Sequence, residues 1–271
     1  MLDGRRLLAV VPARSGSQGI PDKNLRPLSG VSLIGWAGRT LAQVPWLDRR
    51  IISTDSAEYA AEGERHGLDA PFLRPAHLST DTAGAVETLQ HALASMEALA
   101  GQRFDVVLIV EPTSPLRLPG DIEATVRRLI ATGADAAVTV SPLPTKFHPL
   151  KTLTVADDRL GFYLDAGRTV TNRQALEPLY WRNGVCYALT RACLMEQAAI
   201  FGRVTAAVVT EHPVVNIDEP WELEWAQRLL DQRSTEFPGT LFDPEPPAGR
   251  RPPVGAEGQG SPRARKGQKN Q

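Results

Sequence analysis

Residues Leu7–Leu28 read LLAVVPARSGSQGIPDKNLRPL, and the fold turns on how this stretch divides. Leu7–Val11 is a short apolar run suited to a buried parallel strand. Gly, Ser and Pro dominate the loop after it, and from about Ser32 an amphipathic segment places Leu33, Ile34, Ala37, Leu41 and Val44 on one face. A strand feeding a glycine loop that feeds a helix is how α/β folds hold phosphates. Glycine lets backbone N–H groups approach the oxygens, and a helix N-terminus favours negative charge. Arg14, Lys23 and Arg26 add positive charge enough to face a triphosphate. The loop is not the dinucleotide fingerprint, because Gly16-Ser17-Gln18-Gly19 lacks the GxGxxG spacing, and no GK[ST] follows to make a P-loop. Shape and charge alone leave two readings open: a phosphate site, or a glycine turn flanked by solvated basic residues.

Downstream, strand and helix signals alternate. Ile51 and Ile52 mark a second strand, and the cluster Ser53-Thr54-Asp55-Ser56 can cap a helix over Ala57–His66. Ser79-Thr80-Asp81-Thr82 reads as the cap of another helix reaching about Leu99, with Val86, Leu89, Leu93 and Met96 inward. Phe104–Val110 (FDVVLIV) is the strongest strand, and its continuous apolar character predicts a central position covered on both faces. Further elements are expected at Pro119–Ala131 (helix), Ala136–Val140 (strand), Val185–Leu189 (strand), Arg191–Ala199 (helix), Thr205–Val209 (strand) and Pro220–Gln232 (helix, with Trp221, Trp225 and Leu229 on one stripe). Between Pro142 and Arg182 the alternation fails, which reads as an insertion off the main sheet. Residues 236–271 are dense in Pro and Gly, end SPRARKGQKNQ and offer almost nothing to bury; a disordered basic tail is expected. This density of strand–helix alternation predicts a three-layer α/β fold with a mostly parallel sheet and a ligand at the strands' carboxyl ends.

The bulk numbers narrow the function. A chain of 271 residues can build one sizeable core with a small appendage. A formal charge of −1 argues against nonspecific nucleic-acid or membrane-surface binding. Cys186 and Cys193 are the only cysteines and have no neighbouring His, so zinc is not indicated, and two free thiols suit a reducing compartment. With no signal-peptide pattern and no apolar run of about 18 residues, a cytoplasmic location is expected. There is no GxSxG, HExxH or CxxC; His148 beside Pro149 reads as a loop residue rather than a base, and Ser17 has no base near it in sequence.

Loops that follow apolar strands share one edge of such a sheet. They gather Arg14, Ser17, Lys23 and Asn24, then Ser53 and Asp55, then Glu111 and Ser114, with Asn216 and Asp218 before the last helix. Basic residues facing acidic ones across a cleft suit an anionic ligand bridged by Mg²⁺, which needs oxygen ligands and accepts several from the ligand's phosphates. Asp218 reads equally well as the N-cap of Pro220–Gln232.

These residues carry a resemblance. LLAVVPARSGSQGIPDKNLRPL, RPAHLSTDTA, VEPTSPLR, HPLKTL, the NRQ and RNGVCY pieces and NIDEPWELE follow one another as in the acylneuraminate cytidylyltransferases, the synthetases of CMP-sialic acid and of CMP-linked nonulosonic acids. The resemblance covers roughly Leu7 to Asp231. It implies a Rossmann-like nucleotidyltransferase domain over 1–235, a dimerisation and sugar-binding insert at about 142–182, a homodimer, and transfer of CMP from CTP to an acidic sugar with release of pyrophosphate. It also implies site residues. Ala13, Arg14, Ser17, Gln18, Lys23, Asn24, Arg74 and Ala83 would hold the nucleotide, and Glu111, Ser114, Lys151, Arg173 and Asn183 the sugar, Lys151 from the partner subunit. Asp218, with Asn216 beside it, would ligate Mg²⁺, and Arg14, Lys23 and Asp218 would carry catalysis.

Three positions depart from the family pattern: Glu111 stands where Gln is usual, Asn216 replaces the first of two Asp, and Gln18 stands where Lys is common. The first two bear on the sugar and the metal. Competing readings are a nucleotidyltransferase for another acceptor (keto-deoxyoctonic acid, a phosphonate or a cyclitol) and an inactive nucleotide-binding regulatory protein.

Overall fold

The computed structural model describes residues 1–16, 19–172, 174 and 176–236. Ser17, Gln18, Arg173 and the tail from Phe237 onward therefore lie outside the described residues.

The first half of the chain supplies β1 (Leu7–Pro12), a two-residue hairpin of β2 (Pro27–Leu28) and β3 (Val31–Ser32), α1 (Leu33–Ala42), β4 (Arg49–Ser53), α2 (Ala57–Arg65), α3 (Ala85–Ala100) and β5 (Val106–Ile109). The second half adds α4 (Pro119–Thr132), β6 (Ala136–Pro142), β7 (Leu153–Ala156), β8 (Arg159–Phe162), β9 (Tyr180–Thr190), α5 (Arg191–Met195), β10 (Thr205–Val209) and α6 (Pro220–Glu236). Six strands form one sheet in the order β10-β6-β9-β5-β1-β4. All its pairings are parallel except those of β9, which runs antiparallel to both β5 and β6.

Alternation along β1 shows why the layers form. Leu7, Ala9 and Val11 face one side, where they pack with Ile34, Ala37 and Leu41 of α1 and Ile122, Val126 and Leu129 of α4. Leu8 and Val10 face the other and meet Leu89, Leu93 and Met96 of α3 and Leu194 of α5. Helices thus cover both faces of a mostly parallel sheet, as the strand–helix alternation predicts. A third cluster joins Leu28, Leu33 and Trp36 to Ile217, Ala226, Leu229 and Leu230, clamping α6 onto the β2–β3 hairpin.

Local chemistry sets the helix starts. Ser32 Oγ accepts the Gly35 N–H at 2.9 Å, and Ser56 caps α2 as its polar cluster predicts. Asp121 accepts the Leu118 N–H at 2.7 Å at the start of α4, with Pro119 at the first helical position. Three expectations need correction. The Ser79–Thr82 cluster does not cap α3, which begins only at Ala85 after Gly84. α5 is one short turn that stops at Met195. On α6, Trp221 and Trp225 are exposed while Ala226, Leu229 and Leu230 are buried. Each four-residue step overshoots a full turn by about 40°, so a stripe begun at Trp221 reaches the core only at Leu229.

Between β6 and β9 the chain leaves the main sheet. β7 and β8 form a separate two-stranded antiparallel sheet, joined by Asp157 and Asp158 at φ 49° and 56°, the left-handed pair of a tight hairpin turn. Val155, Leu160 and Tyr163 stand exposed on it. Among the described residues no helix is long and apolar enough to cross a membrane.

Candidate active site

The loops after β1, β4 and β5, the segment before α6 and the start of β9 meet at one edge of the sheet. β9 contributes its beginning because it runs against its neighbours. Two adjoining cavities open there. The larger, about 530 Å³, is bordered by Arg14, Gly19, Lys23, Asn24, Asp81, Glu111 and Asp218. The smaller, about 350 Å³, is bordered by Arg14, Arg74, Asp81, Ala83, Glu111, Arg182 and Tyr187. Pro12, Arg14, Asp81 and Glu111 line both.

The loop after β1 is held from two sides. Asp55, just beyond β4, accepts the Ser15 N–H at 2.9 Å and the Ser15 hydroxyl at 2.6 Å. Burial works against the Asp55 charge, but these two bonds and the nearby Arg74 guanidinium together keep its carboxyl below the ordinary value. Gly16 takes φ 71°. At Gly19 a Cβ would come within 2.9 Å of the Asp218 carbonyl oxygen, so the absent side chain lets the loop close against the segment before α6.

Two of the three loop cations are engaged by carboxylates, whereas Arg26 borders neither cavity and donates its Nε to the Pro21 carbonyl at 3.0 Å. Arg14 pairs with Asp81 at 2.6 Å, and Lys23 Nζ donates to Asp218 Oδ1 at 2.9 Å and to the Ile217 carbonyl at 2.8 Å. The buried Asn24 amide sits 3.4 Å from the Arg14 carbonyl. Asp218 is not the cap of α6: Glu222 accepts the Asp218 and Glu219 N–H groups at 2.7 and 2.8 Å, leaving the Asp218 carboxylate in the cavity. Arg74 is buried, and its Nε and Nη2 have no hydrogen-bond partner, an arrangement that costs stability as it stands.

Glu111 forms the partition between the cavities. Burial pushes its carboxyl up, Arg117, the Asn216 amide at 3.4 Å and the Tyr187 hydroxyl pull it back, and the negative Asp218 adds to the rise. The Tyr187 phenol is pushed up by burial and by Glu111 beside it. Arg117 is fully buried; it donates to the carbonyls of Glu111 and Val185, and burial lowers its guanidinium to about 10. Gly184, at φ 68°, leaves room for this cluster: a Cβ there would collide with the Glu111 carboxylate and come within 2.8 Å of Ser114 Oγ.

The structure brings Ala13, Arg14, Lys23, Asn24, Arg74, Ala83, Glu111, Asn216 and Asp218 to one edge. Ser114 and Asn183 lie beneath the cavities instead. Ser114 donates to the Asn183 carbonyl at 2.6 Å, and the Asn183 amide donates to Ser141 and Thr210 at 2.9 and 2.8 Å. Lys151 is exposed on the insert and borders neither cavity. His148 is buried and its Nδ1 accepts the Leu150 N–H, a turn cap rather than a base. Sequence reasoning passed over Asp81, Arg182 and Tyr187 as site residues; the RNGVCY piece contained two of them.

The oxygen donors suit Mg²⁺. Asp218, the Glu111 carboxylate and Asn216 Oδ1, a buried acceptor without a partner, are all hard oxygen ligands. Among the described residues no three His, Cys, Asp or Glu cluster to hold a metal ion.

A mostly parallel sheet with a glycine loop, loop cations and an acidic counterpart at its carboxyl edge defines a nucleotidyltransferase fold. Solved structures of that fold are similar: CMP:2-keto-3-deoxy-manno-octonic acid synthetase complexed with CTP (TM-score 0.60, 17% identity, 84% of this chain and 99% of that one) and the 4-diphosphocytidyl-2C-methyl-D-erythritol synthase of Anaerococcus prevotii (TM-score 0.57, 14% identity, 84% of this chain and 100% of that one). Residues 8–205 match the cytidylyltransferase family model, and the chain belongs to that family. Among curated relatives, the CMP-N,N'-diacetyllegionaminic acid synthase of Legionella pneumophila is 29% identical over 228 residues, 83% of this chain and 97% of that protein. The N-acylneuraminate cytidylyltransferase of Escherichia coli is 27% identical over 234 residues, 85% of this chain and 54% of that protein.

Proposed function

We propose that this cytidylyltransferase transfers CMP from CTP to the anomeric hydroxyl of an acidic sugar, a sialic or other nonulosonic acid, and releases pyrophosphate. One observation carries the reading: Arg14 and Lys23 face Asp218 in a cavity continuous with the one bordered by Arg74. Arg14 and Lys23 neutralise phosphate oxygens while the acceptor hydroxyl is aligned with the α-phosphorus, so catalysis is mainly orientation and charge stabilisation. Asp218, with Asn216 and Glu111 near it, would hold Mg²⁺, which when bound adds Lewis-acid neutralisation of the same oxygens. Arg74, with two unpartnered donors, and Ala83 line the nucleoside end. Ser114 and Asn183 position the floor beneath the acceptor.

In this reading the protein is a cytoplasmic homodimer, and the exposed apolar hairpin of the insert covers a second copy, bringing Lys151 to the partner's acceptor site. The apolar exposure of Val155 and Leu160 and the distance of Lys151 from its own cavities support this. Sedimentation of a monomer at micromolar concentration would reject it. The central test is pyrophosphate release from CTP and Mg²⁺ with a panel of nonulosonic acids; no release with any, beside a working control enzyme, rejects the function. The Glu111 carboxylate in the wall of both cavities supports a second reading, in which a different acceptor such as keto-deoxyoctonic acid is preferred. Profiling the same panel with Glu111→Gln separates the two, since unchanged preference removes Glu111 as the determinant.

A further inference from the structure

The wall of the smaller cavity carries a cation that none of these roles uses. Arg182 lies at the start of β9, paired with Val140, and opens into the cavity beside Arg14, Arg74 and Glu111. The other cations bordering the two cavities already have carboxylate company: Arg14 has Asp81, Lys23 has Asp218, and Arg74 lies in the field of Asp55. Arg182 forms no ion pair with any described residue. Its guanidinium instead lies 5.5 Å from the centre of the Phe201 ring, which meets Tyr187 edge-on at 6.3 Å. A guanidinium stacked on a ring keeps its in-plane N–H edge available for a bidentate oxygen acceptor.

A sugar acid that approaches a triphosphate brings a second negative charge, which needs a cation not already committed to phosphate. The Glu111 carboxylate in the same wall repels it, Lys151 borders neither cavity of its own protomer, and Arg173 lies outside the described residues. Resting on CMP transfer to an acidic sugar, we propose that Arg182 receives the acceptor's carboxylate within the same protomer and selects sugar acids over their uncharged counterparts. The planar fork matches a carboxylate geometrically, and a charge-assisted bond of this kind contributes more than a neutral one.

The test is a chemical double-mutant cycle. The nonulosonic acid that the wild type turns over fastest and its methyl ester are compared with wild type, Arg182→Gln and Arg182→Lys, and CTP affinity is measured by calorimetry. The expected result is a roughly ten- to hundredfold rise in KM for the acid in Arg182→Gln. The ester should be handled as by the wild type and CTP affinity held within about twofold, with Arg182→Lys recovering part of the loss. An unchanged acid KM, an equal loss on acid and ester, or a parallel loss of CTP affinity each overturns the assignment while leaving CMP transfer intact. A wild type that turns over no acid overturns the proposed function itself, and this inference with it.

Discussion

The two cavities that meet at Arg14 and Glu111 are built on opposite plans. In the larger, the charges sit near the surface: Arg14 and Lys23 follow β1 and pair with the exposed carboxylates of Asp81 and Asp218. Around the smaller, the chemistry is fixed from below. Glu111 is half-buried, its loop is tied down by the fully buried Arg117, and the Ser114–Asn183–Ser141–Thr210 network forms the floor. Substitutions at the first site should therefore change rate or affinity with the fold intact, whereas those beneath the second should cost stability first.

The severest trial of that contrast is Arg117→Ala. Removing a buried cation that satisfies two carbonyls and faces Glu111 should cost about 3–5 kcal/mol in denaturant unfolding; a cost near zero would mean the floor is not fixed. Next come Asp218→Ala and Lys23→Ala, each expected to lower kcat/KM about 10²–10³-fold. Their thermal midpoints should stay near that of the wild type, because Glu222 already serves the N-terminus of α6. Near-normal turnover in Asp218→Ala would remove it from the metal site. Asp55→Ala should loosen Ser15 and raise KM for CTP about tenfold, read in initial rates at saturating acceptor.

The mildest effect probes the same contrast through pH. Burial raises the Glu111 carboxyl above its ordinary 4.5, so the folded protein binds that proton more tightly than the unfolded chain. Stability from this group is therefore fully present below 4.5 and falls as pH rises through the folded value. Glu111→Gln lacks the titration, so its thermal midpoint should exceed that of the wild type slightly at neutral pH, with the gap closing toward pH 4.5. A gap that widens on acidification would show that Glu111 is better off charged.

Much of the sheet, and the gathering of Arg14, Lys23, Asn24, Glu111 and Asp218 at one of its edges, could be read directly. Continuous apolar runs such as Leu7–Val11 and Val106–Ile109 signal strands covered on both faces, and the cations of one loop must share an edge with the loops of neighbouring parallel strands. The part of that edge supplied by β9 was less legible, because burial on both faces looks the same whichever way a strand runs. Val185–Leu189 read as a strand, but nothing local announced that β9 is antiparallel, and only that direction carries Arg182 to the ligand edge. Asp81 was hidden for another reason. Ser-Thr-Asp-Thr has the composition of a helix cap, and only the folded chain shows Arg14 against its carboxylate. Lys151 borders neither cavity, and nothing in the local sequence of the insert signals that.

The Lys23–Asp218 contact has a consequence for the order in which ligands load. The ammonium and the carboxylate neutralise each other across 2.9 Å, so a lone magnesium ion must evict an ammonium and a lone nucleotide must strip away a carboxylate. On the proposed function, a preformed magnesium–nucleotide complex would meet both charges at once, with Asp218 available to the metal and Lys23 to the phosphates. On that same function, titrations with nucleotide or metal alone should therefore saturate more weakly than titrations with the two together.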